Sequence, residues 1–197
     1  VHLLRQAPVE DHLDLGSLFG RADRRTRAVA VSHVHWQSGH RIDLGHFARE
    51  CRAVGALSIV DAIQSVGSVP IDVTASGIDV LVAGTYKWLM AVPGAAVLYV
   101  SETALGNVVP DRAGWTSMAT SVHGEPKVEW ARGAARFLVG GRPDPVLIVL
   151  EQSVDLLLEV GVGAIAAHTA RLIDRVIAGA DRPEHIRAQD DTVIHRN

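Results

Sequence analysis

The chain has 197 residues, a formal net charge of -3 and 48% hydrophobic residues, enough to bury a sizeable core in one large domain or one and a half. The mild charge gives no electrostatic case for nucleic acid or an anionic membrane surface; we expect neither a signal peptide nor a membrane span, which would need ~20 consecutive apolar residues. The single cysteine, Cys51, excludes an internal disulfide and points to a reducing, cytoplasmic compartment.

In chain order, residues 1–27 are polar and mixed, with a short helix expected over Asp14 to Phe19. Residues 28–34 are short, β-branched and preceded by charge, which predicts a buried strand. Residues 35–39 read as a loop. Asp43 can cap a helix that runs to about Val54, with Leu44, Phe47, Ala48 and Cys51 on its apolar face and Gly55 as its stop. Leu57 to Val60 predicts a second strand, with a buried Asp61 at its carboxyl end. Ala62 to Val66 reads as one helical turn. Ile78 to Ala83 predicts a third strand, Pro93 and Gly94 a turn, and Ala95 to Val100 a fourth strand. Residues 107–145 are rich in Gly, Pro and Trp and read as loop. Two helices follow, from Pro145 to about Glu159 and over 163–178, and the polar tail is given no structure. This alternation predicts an α/β fold of three layers, α/β/α, around a mostly parallel sheet. Ligands gather at the carboxyl ends of strands in such sheets, where His35, Asp61 and Lys87 all fall.

Lys87 and Lys127 are the only lysines among 19 basic residues. Lys87 lies between two apolar runs, where burial would lower its pKa toward that of a nucleophilic amine. An amine can form an imine with an aldehyde cofactor, and a carboxylate can keep a pyridine nitrogen protonated, so Lys87 and Asp61 suit a pyridoxal phosphate site. Gln64 follows Asp61 by three residues and on a helical turn projects toward the same side. The same residues admit a plainer reading, in which Asp61 caps the turn after it and Lys87 reaches solvent. His33 and His35 alternate at a strand end, and a structural role is preferred for both. No metal site is expected, because a third ligand with suitable spacing is missing. Trp36, Trp88, Trp115 and Trp130 read as core or interface anchors.

Three segments go further: Ser32-His33-Val34-His35-Trp36-Gln37-Ser38-Gly39, Val60-Asp61-Ala62-Ile63-Gln64-Ser65-Val66-Gly67, and Tyr86-Lys87-Trp88-Leu89 followed by Pro93-Gly94. In that order they resemble the class V aminotransferase family of fold-type I pyridoxal phosphate (PLP) enzymes, which includes cysteine desulfurases and isopenicillin-N-epimerase-like proteins. The resemblance implies that Lys87 is the Schiff-base lysine, Asp61 the partner of the pyridine nitrogen and Gln64 the partner of the ring's 3-oxygen. It also implies an amino-acid substrate, transamination, desulfuration or epimerisation as the outcome, and a homodimer with the loop 107–145 as a candidate interface. Where desulfurases carry a Ser and a His before the lysine, this chain has Gly84 and Tyr86, leaving Thr85 and the Tyr86 hydroxyl as phosphate contacts. Gly141-Arg142-Pro143 takes the place of the family's Gly-Thr-Pro, so Arg142 is a further candidate for the phosphate. Trp36 stands where desulfurases carry an Asn.

Family members are roughly twice this length. The resemblance therefore implies that residues 1–145 are the C-terminal part of the PLP-binding large domain, 146–180 are helices linking to a small domain, and 181–197 are an unassigned tail. A truncated or split protein fits this reading. Two other functions compete with a PLP enzyme: a dimerising remnant that binds no cofactor, and an unrelated lysine-imine enzyme of aldolase type, which would have no use for the Asp61 to Gln64 motif.

Overall fold

The computed structural model describes residues 14–119 and 129–180. Residues 1–13, the central part of the loop 107–145 with Lys127, and the tail 181–197 lie outside the described residues. The elements are α1 (Leu15–Phe19), β1 (Ala28–Ser32), α2 (Leu44–Val54), β2 (Leu57–Asp61), α3 (Val73–Ser76), β3 (Val80–Gly84), β4 (Ala96–Val100), α4 (Glu102–Leu105), α5 (Asp144–Val160) and α6 (Val162–Ala180), with a 3-10 turn at Gly133–Phe137.

Local chemistry accounts for the helix ends. Asp43 accepts from the backbone N–H of His46 and starts α2. Gly55 stops it in the left-handed region, at φ 74°. The expected face forms: Leu44, Phe47, Ala48 and Cys51 are all buried. Asp14 and Asp72 cap α1 and α3 in the same way. Sequence reading holds no expectation of α3 or α4, because a four-residue helix is too short to show a periodicity.

The sheet runs in the order β1-β2-β3-β4. The first three strands are parallel and β4 returns antiparallel to β3, as the reversal at Pro93 and Gly94 requires. One face is a packed core. Val29, Val60, Leu81 and Ala83 meet Phe47, Ala48 and Cys51 of α2, and Val60, Phe47 and Cys51 are 0% exposed. The other face is open among the described residues. Ser32, Asp61, Val82 and Leu98 stand side by side in register, and all four are exposed. The chain thus supplies an open, mostly parallel sheet with one covering helical layer, the incomplete form of the expected α/β architecture.

The amino end of the sheet is held by polar groups that sequence reading did not single out. The Asp79 carboxylate accepts from the backbone N–H of Ser58 at 2.9 Å and from its hydroxyl at 2.8 Å. The Ser58 hydroxyl oxygen accepts in turn from the Asp79 N–H at 2.8 Å. The N–H of Ser101 donates to the Asp79 carbonyl at 2.8 Å. Three strands are tied there, so their opposite ends are free to carry loops with chemistry.

Candidate functional site at the carboxyl edge

Because β1, β2 and β3 are parallel, the chain leaves all three at one edge of the sheet. Each exit loop is folded by its own hydrogen bonds. After β1, the N–H of His35 donates to the carbonyl of His40 at 2.8 Å, and Val34 bridges to Arg41. After β2, the N–H groups of Ser65 and Val66 both donate to the carbonyl of Ala62 at 2.9 Å, which is the expected helical turn. After β3, Leu89 and Ala91 are buried and anchor the loop, and the N–H of Ala91 donates to the Thr85 carbonyl at 3.0 Å.

Asp61 ends β2 on the open face, and its side chain is exposed where burial was expected. Period-two alternation is the reason: Val60 takes the core side, so Asp61 must take the other. One carboxylate oxygen, Oδ1, accepts from the N–H of Ile63 at 3.0 Å. That bond fixes the carboxylate's orientation and leaves Oδ2 without a hydrogen-bond partner among the described residues. Gln64 is half-buried on the same turn.

Lys87 is likewise exposed, contrary to the expected burial. Its amine makes no ion pair or hydrogen bond among the described residues. The apolar runs on either side of it are β3 and β4, and the loop between them carries the lysine off the sheet. Tyr86, Trp88, Met90 and Val92 also stand outward, at 50%, 41%, 52% and 44% exposure. The plainer reading of both residues is therefore present in the geometry: Asp61 does cap its turn, and Lys87 does reach solvent. Neither feature opposes a site, since a free amine and a half-free carboxylate at one edge are what an incoming ligand needs.

Thr85 is fully buried, and its hydroxyl is within donating distance of the carbonyls of Val92 at 3.0 Å and Ala95 at 3.1 Å. It shapes the lysine loop from inside. Arg142 is exposed at the start of α5 and lies 3.7 Å from the Asp144 carboxylate. Trp36 and Trp115 are 70% and 81% exposed, so neither is a core anchor of the described chain.

Sequence reading missed what locks these loops together. Gly67 has φ 95°, and a Cβ there would lie 2.5 Å from the carbonyl oxygen of Trp88. The turn that follows Asp61 thus presses on the backbone next to Lys87. Gly84 is also close, though to side chains: a Cβ would lie 2.9 Å from Ile63 Cδ1 and from the Tyr86 ring. The signal was in the sequence as one glycine inside a motif, Gly67, and one just before another, Gly84, but a glycine says only that something comes close.

On the other side of the turn, His33 is 4% exposed, and its Nδ1 lies 2.9 Å from the Ser65 hydroxyl. Burial, and then the positive charge of Arg41, push the His33 pKa down to about 4. His33 is therefore neutral near neutral pH. An unfolded chain binds a proton at this histidine near pH 6.5 and the folded chain only near pH 4, so stability is present above the first value and lost as pH falls toward the second. A denaturant midpoint that declines between pH 6.5 and 4, and declines less in His33→Asn, is the expected result. Burial also pushes the Cys51 thiol up to about 12, with Asp79 and Glu50 adding to it, which suits a core residue and not a nucleophile.

Comparison with known proteins adds an independent line. The family model for aminotransferase class-V matches residues 4–196. YcbU, an aminotransferase of Bacillus subtilis (strain 168), is 34% identical over 73% of this chain, and a kynureninase of Pseudomonas fluorescens is 30% identical over 79%. The chain spans 38% of the length of each of these two relatives. Among solved structures, the fold is similar to that of C-DES carrying glycine covalently linked to its PLP cofactor, with TM-score 0.80, 25% identity and coverage of 90% of this chain and 48% of that one. The cysteine desulfurase of Thermococcus onnurineus NA1 gives TM-score 0.76 at 25% identity, over 89% of this chain and 44% of that one.

Proposed function

We propose, from the premise that this chain belongs to the aminotransferase class-V family, that it carries the lysine and acid half of a pyridoxal phosphate site acting at the α-carbon of an amino acid. The observation that carries this reading is the convergence of Asp61 and Lys87 on one edge, on loops that touch at Gly67. The residues present fit the cofactor in its ring and aldehyde portions. Lys87 offers a solvent-facing amine, Asp61 an oriented carboxylate with Oδ2 free among the described residues, and Gln64 an amide on the same turn. For the phosphate, the Tyr86 hydroxyl and Arg142 are the groups that reach the surface, while Thr85 is used within its own loop.

Pyridoxal phosphate, when bound, supplies an electron sink for the substrate's α-carbon. Lys87 would hold the cofactor's aldehyde end through Nζ, and the same amine is the group placed to take and return the substrate's α-proton as base and acid. Asp61 would keep the ring nitrogen protonated; the bond from the N–H of Ile63 orients its carboxylate for that role. Gln64 would hold the ring's 3-oxygen through its amide. Whether transamination, desulfuration or epimerisation follows is decided by groups beyond these loops. Similar structures include enzymes named for cysteine and cystine, which favours an amino acid of that size. A homodimer is part of the proposal, supported by the outward apolar side chains that flank Lys87.

A second reading, a remnant that dimerises without cofactor, is favoured by the inward Thr85 hydroxyl and by the carboxylate already beside Arg142. One experiment separates the two. After incubation with pyridoxal phosphate and reduction with sodium borohydride, peptide mass mapping should find the pyridoxyl group on Lys87 and leave Lys127 free. Equal modification of both lysines, or of neither, would leave the remnant as the function of this chain.

A further inference from the structure

Resting on the reading of Asp61 and Lys87 as a PLP site, we propose that His33 is a positioning residue: through Ser65 it clamps the Asp61–Gly67 turn between the end of β1 and the lysine loop, and so sets the spacing of the acid from the amine. Pairing between β2 and β3 ends where the N–H of Ala62 donates to the carbonyl of Val82 at 2.8 Å. Asp61 is the last residue of β2 that the sheet holds in register; beyond it, strand pairing fixes neither the turn whose Ile63 N–H orients the Asp61 carboxylate nor the loop that carries Lys87. The turn itself must be held from both sides.

One side is Gly67 against the Trp88 carbonyl. The other is His33. Its N–H donates to the carbonyl of Asp61 at 2.9 Å, and its own carbonyl accepts from the N–H of Ile42 at 3.0 Å. The ring then reaches the 0%-exposed Ser65. The Ser65 hydroxyl also donates to the carbonyl of Ala62 at 3.2 Å. With that proton turned to Ala62, Nδ1 of a neutral His33 is the donor to Ser65 Oγ. Both side chains are shut away from water, so a lost partner is not replaced by solvent. Ser65 carries the restraint onward, since its carbonyl accepts from the N–H groups of Ser68 and Val69 at 2.9 Å. The turn is therefore pinned at its first residue, its middle and its end.

The variants that test this are His33→Leu, His33→Asn and Ser65→Ala, each read in two ways. Amide exchange of the chain without cofactor reports the turn directly. Exchange at Ile63 to Val66 should rise about tenfold in His33→Leu and Ser65→Ala, while the β3 amides stay protected. His33→Asn keeps a donor near the place of Nδ1 and should restore protection to within about twofold. Titration with pyridoxal phosphate, followed by absorbance, should show the same order, with affinity lowered about tenfold in the first two variants and restored in the third. If exchange rises equally in β3 and the turn, or if His33→Asn behaves like His33→Leu, the positioning role is overturned and His33 is a stability residue only. If His33→Leu does not fold, Ser65→Ala decides by the same readings. Should the parent chain take up no cofactor, the proposed function fails while the exchange pattern still judges the clamp.

Discussion

Lys87→Ala is expected to slow exchange of an amino acid's α-hydrogen with deuterated water by about 10^3-fold, measured by NMR on the PLP-loaded chain. On the proposed function, the substitution removes two roles at once: attachment of the cofactor and transfer of the α-proton. They can be separated because the lysine is exposed. A small amine such as methylamine can enter the space left by the side chain and carry the proton from solution. Partial recovery of exchange with added methylamine is the expected second result, with attachment still lost. The loss should also be local. Lys87 has no partner for its amine among the described residues, so the unfolding midpoint of Lys87→Ala should stay within about 0.5 kcal/mol of the parent. Unchanged α-hydrogen exchange in Lys87→Ala would place the base elsewhere and would end the assignment of this loop as the catalytic one.

Legibility divided along physical lines. Features fixed by neighbours in sequence were readable. The α2 cap at Asp43, its apolar face and its stop at Gly55 all follow from residues within one helix. The four strands were readable too, each from its own short apolar run, while the antiparallel direction of the last came only with the structure. The family, too, was readable from three short segments, and the match over residues 4–196 bears it out. Burial at strand ends and in loops was not readable. Asp61 and Lys87 were expected inside because their flanks are apolar, but a strand's last residue takes the face its parity assigns, and a loop residue follows its loop. Among the described residues that face is open, with Val82 and Leu98 exposed in the same row as Asp61. Trp36 and Trp115 read in the sequence as core or interface anchors, and their exposure removes only the core half of that reading: a tryptophan promises a partner without saying that the partner lies in the same chain. The inward Thr85 hydroxyl and the Ser58–Asp79 exchange of hydrogen bonds were hidden because their partners lie across strands or at the far end of a loop.

The contact that most tightly couples the two halves of the site is also the one a single methyl group should break. Gly67→Ala meets two penalties together. Its backbone sits at φ 95°, where an L side chain is strained, and its Cβ would lie 2.5 Å from the Trp88 oxygen and 2.8 Å from the Trp88 carbonyl carbon. Backbone atoms cannot rotate aside as a flexible side chain can, so either the turn lifts or the lysine loop shifts. Strain of this kind costs about 1–3 kcal/mol and overpacking a similar amount, so a loss of roughly 3 kcal/mol or more is expected in denaturant unfolding. Gly55→Ala provides the reference. Gly55 has φ 74° at the end of α2, but a Cβ there meets nothing within 4 Å. That variant carries the backbone penalty alone, about 1–2 kcal/mol. The difference between the two variants isolates the push against Trp88. If Gly67→Ala costs no more than Gly55→Ala, the turn and the lysine loop are not in hard contact. If it costs more, the displaced Trp88 carbonyl must move its neighbour, and uptake of pyridoxal phosphate at Lys87 should fall with it, since a shift of about 1 Å is enough to misplace a reacting group.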